Sequence, residues 1–225
     1  MSGSGKEWIR VDKLLRNYLL IDDTDICFYY LLRTSGGFLA SEANNRIDNF
    51  KKKPSLCAIN PSVASYKEEA IKEFADDVLR LLDGGKFRSL IDSFGATLVP
   101  IPTSKPRNHE EYDSRLEDLC SIVAERMNNV FVENSFDMIK AVRPSHEGGI
   151  RQVDFLKDSI SFNGLTFPSS LIILVDDVLL TGSHYLACKQ LIKEKYPDAL
   201  IVGVFLAFHK SDHVDYGQVD FGEMN

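Results

Sequence analysis

LIILVDDVLLTGSHY, from Leu171 to Tyr185, holds a strand, a charged corner and the start of a helix in one short run. Leu171 to Val175 is unbroken apolar sequence, the pattern of a strand buried on both faces. Asp176 and Asp177 end that segment. Val178, Leu179 and Leu180 lead into a small, hydroxyl-bearing turn, Thr181-Gly182-Ser183, and the spacing predicts a helix from His184 to Lys195 with Cys188, Leu191 and Ile192 inward. In an open α/β sheet, ligands bind outside the carboxyl ends of the strands, where these residues emerge. A turn of small residues at a helix N-terminus offers free backbone N–H groups and a positive dipole end, which suits a phosphate monoester. Carboxylates beside it can accept hydrogen bonds from a sugar diol or help to hold a divalent cation. Two adjacent like charges repel, and a site that keeps both supplies a cation or donors to compensate. Together the cradle and the carboxylate pair fit a sugar phosphate.

Outward from this run the chain alternates. Thr97 to Pro102 reads as a short strand broken by prolines, Glu110 to Met127 as a helix, Met138 to Val142 as a candidate strand and Leu200 to Phe208 as the last long strand. Tyr66 to Leu82 carries a helical stripe of Ala70, Ile71, Phe74, Val78, Leu81 and Leu82 behind a capping box of Ser65 and Glu68, closed by Gly84-Gly85. The alternation predicts an α/β fold, a mostly parallel twisted sheet flanked by helices on both faces. Residues 66–225 are assigned to this domain and residues 1–65 to a partly helical N-terminal extension or hood. Within the extension, Glu7 to Leu20 reads as a helix and Ile26 to Leu32 as a strand or a buried helical turn. Ala40 to Pro61 reads as a short helix and loop, with Lys51-Lys52-Lys53 as a solvated turn.

Composition narrows the function. The 225 residues carry 26 Lys and Arg against 33 Asp and Glu, a net charge of -7. That balance argues against nucleic acid as a partner and leaves room for a local basic pocket. Cys27, Cys57, Cys120 and Cys188 are scattered without a C-x-x-C pair, so neither a disulfide framework nor a zinc ribbon is indicated. The longest apolar run, Ala199 to Phe208, is far short of the ~18 residues of a membrane span. Met1 to Gly5 has no apolar signal core, so a cytoplasmic protein is expected, with no membrane partner. No P-loop, G-x-G-x-x-G or G-x-S-x-G pattern is present. The acidic pair also falls too late in the chain for a phospho-receiver domain, where it follows the first strand.

VDDVLLTGS resembles the phosphoribosyl-diphosphate signature of the type I phosphoribosyltransferases: apolar strand, two acids, apolar positions, then Thr-Gly and small hydroxyl residues. The resemblance extends in element order over roughly residues 66 to 210. It is nearest to the ComF-like branch, without that branch's cysteine-rich zinc segment. It implies the type I phosphoribosyltransferase fold and transfer of a phosphoribosyl group from phosphoribosyl diphosphate to a nitrogen acceptor, a nucleobase or related amine, with release of pyrophosphate. It implies that Asp176 and Asp177 are the catalytic pair, holding the ribose 2- and 3-hydroxyls. Val178, Leu179, Leu180, Thr181, Gly182, Ser183 and His184 become the 5-phosphate loop. His184 stands where the family has Thr or Ser, so one phosphate contact is altered.

The family also has a pyrophosphate loop after its first sheet strand, which points to Thr103, Ser104, Lys105 and Arg107, two hydroxyls and two cations. The polar stretch from Arg143 to Asn163 matches the position of a flexible loop, with Arg143, His146 and Arg151 as its candidate phosphate contacts. Mg²⁺ is the implied cofactor, held mainly by the substrate with Asp176 or Asp177 as the protein ligand. A homodimer is an expectation of the same resemblance. A different class of function fits the same scaffold: a non-catalytic module that senses phosphoribosyl diphosphate or a nucleotide and regulates a partner protein.

Overall fold

The computed structural model describes residues 7–12, 15, 17–141, 153–166, 168–212 and 214. Its strands in chain order are β1 (Ile9–Arg10), β2 (Ile26–Arg33), β3 (Ala96–Pro100), β4 (Val130–Val132), β5 (Phe136–Met138), β6 (Ile160–Phe162), β7 (Leu171–Leu179) and β8 (Leu200–His209). Its helices are α1 (Glu42–Phe50), α2 (Pro54–Ile59), α3 (Pro61–Leu82), α4 (Gly85–Phe94), α5 (Arg115–Arg126), α6 (Val153–Ser159) and α7 (Ser183–Lys195). Six strands form one sheet in the order β1-β2-β8-β7-β3-β4, while β5 and β6 pair as a separate antiparallel ribbon. Neighbours from β2 to β4 run parallel, and β1 adds an antiparallel edge. The chain is therefore α/β with a mostly parallel sheet covered by helices.

The apolar run of β7 is buried from Leu171 to Val175 because both sides of the sheet are covered. Leu171, Ile173 and Val175 face a core that also holds Ile47, Phe50, Phe74, Val78, Ile91, Leu119 and Val123 from α1, α3, α4 and α5. Ile172 and Leu174 face the opposite core, with Leu156 of α6 and Tyr185, Ala187, Cys188 and Ile192 of α7. The period-2 alternation of a strand thus divides β7 between two packed layers. Chain direction also divides here. β3 continues through α5 to β4 on one side, and β7 through α7 to β8 on the other. The crevice between β3 and β7 is therefore a topological switch point, the place where open α/β sheets bind ligands.

Several expectations change. The segment assigned to a hood is continuous with the sheet: β2 pairs with β8 over Ile26↔Val202 to Arg33↔His209, and β1 pairs with β2. The helix expected over Glu7 to Leu20 gives way at its start to β1, because Ile9 and Arg10 pair with the open edge of β2. The indole of Trp8 donates to the carbonyl of Asp77 at 3.0 Å, tying this segment to α3. Helix α3 begins at Pro61, ahead of the capping box, because the Asn60 side chain accepts from the amides of Ser62 and Val63 and Pro61 presets the first turn. Ser65 lies inside the helix. The loop expected after α1 contains the further helix α2. The strand expected over Met138 to Val142 forms earlier, at β5, where Phe136 pairs with Phe162. The polar stretch after Val142 contains α6 and β6. Among the described residues, no helix is long and apolar enough to cross a membrane.

Candidate ligand site at the carboxyl end of β7

β7 runs further than its apolar segment. Val178 and Leu179 pair with Ala207 and Phe208 of β8, and Leu179 is fully buried. These two residues, read as part of the phosphate loop, belong to the strand, because β8 still offers partners there. Leu180, Thr181 and Gly182 form the turn, and Ser183 opens α7. Gly182 is the N-cap and has φ of 82°, a left-handed conformation that glycine adopts without strain. A Cβ there would lie 2.7 Å from the Ile21 Cγ2, so the turn is also held against the segment before β2. The Leu20 amide donates to the Thr181 carbonyl at 2.8 Å.

Thr181 Oγ1 lies 3.1 Å from Ser183 Oγ and accepts a long hydrogen bond, 3.4 Å, from the Ser183 amide. Among the described residues, the amides of Thr181, Gly182, His184 and Tyr185 have no backbone partner. Those groups point the positive end of α7 into the turn. Burial lowers the His184 pKa, opposed by the nearby Asp177 charge, so the imidazole at this position is neutral near pH 7. It can donate a hydrogen bond and adds no cation.

Strand alternation sends the two aspartates to opposite faces. Asp177 is buried on the face of α1 and α5. Its carboxylate lies 3.1 Å from Lys51 Nζ, just past the end of α1, and 2.5 Å from Arg115 Nη2 at the start of α5. Burial opposes its ionisation, yet Lys51 and Arg115 outweigh that and hold the carboxyl well below the usual carboxylate range. The network continues: Arg115 Nη1 reaches Asp113 at 2.6 Å, and Lys67 Nζ reaches the other oxygen of Asp113 at 2.7 Å. The Arg115 guanidinium also lies over Phe50, 5.7 Å from its ring centre. Asp176 is half-buried on the opposite face. Burial, and next the charge of Asp177, raise its pKa well above the carboxylate range, against a 2.7 Å hydrogen bond from the Asp177 amide.

The loop after β3 lies across the crevice. Ile101 donates to the Val175 carbonyl at 2.9 Å, so the loop leaves the sheet alongside the start of the acidic pair. Thr103 Oγ1 is buried with no hydrogen-bond partner among the described residues. Ser104 and Lys105 are half-buried. Arg107 is not available in the way the sequence implied. Its guanidinium forms a 2.5 Å ion pair with Glu117 and donates to the carbonyls of Asn134 and Phe136, while its amide donates to Asp137. Arg143, His146 and Arg151 lie outside the described residues.

The sequence reading missed Lys51, Lys67, Asp113 and Arg115, and it read Lys51 as a solvated turn. Only the packing of α1, α3 and α5 on one sheet face brings these charges together. A weak local signal existed: Asp113-Ser114-Arg115 places opposite charges at the start of a helix.

No group of three His, Cys, Asp or Glu side chains suited to a metal occurs among the described residues. With Asp177 engaged by two cations, Asp176 is the one carboxylate of the pair free of them. A single carboxylate suits Mg²⁺, which keeps waters and binds through substrate phosphates. Two hollows are lined by other residues, one by Glu133 to Ser135 and Asn163 to Thr166, the other by Asp76, Arg80, Arg88 and Arg126. A comparison of the chain with models of known protein families finds no match, and neither does a comparison with curated proteins.

Proposed function

We propose that this chain binds phosphoribosyl diphosphate at the carboxyl end of β7 and transfers its phosphoribosyl group to a nitrogen acceptor, a nucleobase or related amine. One observation carries the reading: among the described residues, the amides of Thr181, Gly182, His184 and Tyr185 have no backbone partner at a left-handed Gly182 turn, which opens α7 at the switch point and follows the strand that carries Asp176. The 5-phosphate takes the amides of Thr181 to Tyr185, with Thr181, Ser183 and neutral His184 as side-chain donors. Asp176 accepts from the ribose diol, and Asp177 joins it once released from its cations. The pyrophosphate lies toward Thr103, Ser104 and Lys105. Arg107 reaches the pyrophosphate only by leaving Glu117, a partly exposed ion pair that a polyanion can exchange. When bound, Mg²⁺ supplies positive charge to the departing pyrophosphate, with Asp176 the residue that would hold it. The bond from C1 to the pyrophosphate oxygen breaks through an oxocarbenium-like state, the electron pair leaves with pyrophosphate, and the acceptor nitrogen attacks C1. Electrostatic stabilisation of the leaving group is the main contribution to rate.

A sensing module is the second reading. The ion pairs of Asp177 favour it, since they engage one of the two acids that a ribose diol would need. Calorimetry with phosphoribosyl diphosphate, with and without Mg²⁺, followed by pyrophosphate release over a panel of bases and amines, separates the two. Transfer predicts Mg²⁺-dependent binding and acceptor-dependent release. Binding without release from any acceptor identifies the sensor, absence of phosphoribosyl diphosphate binding overturns transfer, and absence of binding to nucleotides as well overturns both.

A further inference from the structure

We propose that Lys51 and Arg115 form an anion seat on the α1–α5 face of β7, and that Asp177 is the internal counter-ion that fills it until one phosphate of the pyrophosphate group arrives, the other lying toward Thr103, Ser104 and Lys105. The proposal builds on the phosphoribosyl reading and adds a residue from the N-terminal segment to the site. Its basis is geometric. Lys51 Nζ and Arg115 Nη2 converge on one carboxylate, with Lys51 within 3.1 Å of both of its oxygens. Two oxygens of a phosphate group present the same demand, and a guanidinium fork beside an ammonium meets it. The connected network holds three cations, Lys51, Lys67 and Arg115, against two carboxylates, Asp113 and Asp177, so it keeps one positive charge in excess. Arg115 Nε is buried with no hydrogen-bond partner among the described residues, so the guanidinium has a donor to spare.

A purely stabilising network would not need this arrangement. Buried ion pairs contribute little compared with well-packed apolar groups, and an unbalanced one contributes less. The side chain of Lys51 is also 31% exposed, while those of Arg115 and Asp177 are 11% and 10% exposed, so the seat opens to solvent at its lysine. The incoming anion takes the two cations, and the freed Asp177 carboxylate becomes able to accept from the ribose diol.

The test uses inorganic pyrophosphate and the full chain, titrated by calorimetry without Mg²⁺. Asp177→Asn removes the internal competitor and is expected to bind pyrophosphate about tenfold more tightly than the unaltered protein. Lys51→Met is expected to bind about tenfold more weakly. Lys52→Met removes a neighbouring charge that lies over Phe38, and it is expected to change affinity less than twofold. Equal or weaker binding by Asp177→Asn overturns the proposal, as does unchanged binding by Lys51→Met or an equal loss in Lys52→Met. If Asp177→Asn does not fold, judged by circular dichroism, the two lysine variants decide the matter alone. The expected pyrophosphate pattern without any uptake of phosphoribosyl diphosphate would retain the seat and overturn the phosphoribosyl reading.

Discussion

On one face of β7, Asp177 meets Lys51 and Arg115 and is kept ionised. On the other, Asp176 meets the α7 side, where burial and its charged neighbour favour the protonated form. The two residues are adjacent in sequence and carry the same side chain. A pair of acids at a strand end is therefore not one chemical unit. Alternation splits it between two environments, and the helices packed on each face set the two protonation states. In the proposed exchange, the acid facing the cations is the one that a ligand releases. Its neighbour makes no ion pair among the described residues.

The largest expected effect breaks the Asp177 face. Arg115→Met leaves Lys67 and Lys51 as the cations described beside Asp113 and Asp177, and denaturant unfolding should show a loss of about 3 kcal/mol. A loss below ~1 kcal/mol would mean that the guanidinium does not organise that face.

Next comes the turn on the α7 side. Gly182→Ala combines φ of 82° with a contact of 2.7 Å to Ile21, and should cost ~1–3 kcal/mol. Phosphate affinity should fall with it, because the amides above the turn must shift.

A smaller effect, of opposite sign, separates the two acids. The raised pKa of Asp176 means that the folded chain binds more protons than the unfolded chain between the ordinary carboxylate pKa and the raised value. Stability contributed by protonated Asp176 is therefore lost as pH rises through that window. Asp176→Asn should stabilise the chain by about 1 kcal/mol, or ~2–4 °C in Tm, above the window and by nothing in acid. Asp177 works the other way: its contribution is present above the ordinary carboxylate pKa and is lost only as pH falls through its depressed value. Thermal melts across a pH series should show the two variants diverging as pH rises, Asp176→Asn upward and Asp177→Asn downward. Parallel shifts would contradict the split.

The smallest effect is that of Lys51→Met, under ~1 kcal/mol by the same melts, because this side chain remains partly in solvent. A larger loss would make Lys51 a structural element of the buried network.

The strand, turn and helix around the acids were legible because local patterns define them: an apolar run, small turn residues and helical spacing between Cys188 and Ile192. β8 was legible for the same reason. The end of β7 was not, since its last two residues are held by Ala207 and Phe208, far along the chain. Neither was β1, whose two residues gain their conformation from the edge of β2. Within the site, the turn and the acids could be read directly, whereas Lys51, Lys67, Asp113 and Arg115 could not. Each is an ordinary charged residue by sequence, and only helices from three parts of the chain place them within bonding distance of one another and of Asp177.

A crystal structure of the chain with phosphoribosyl diphosphate and Mg²⁺ tests the central claim most directly. It should place the 5-phosphate on the amides between Thr181 and Tyr185, with a ribose hydroxyl on Asp176. A ligand bound in another hollow, or that turn left bare at saturating ligand, would contradict the account.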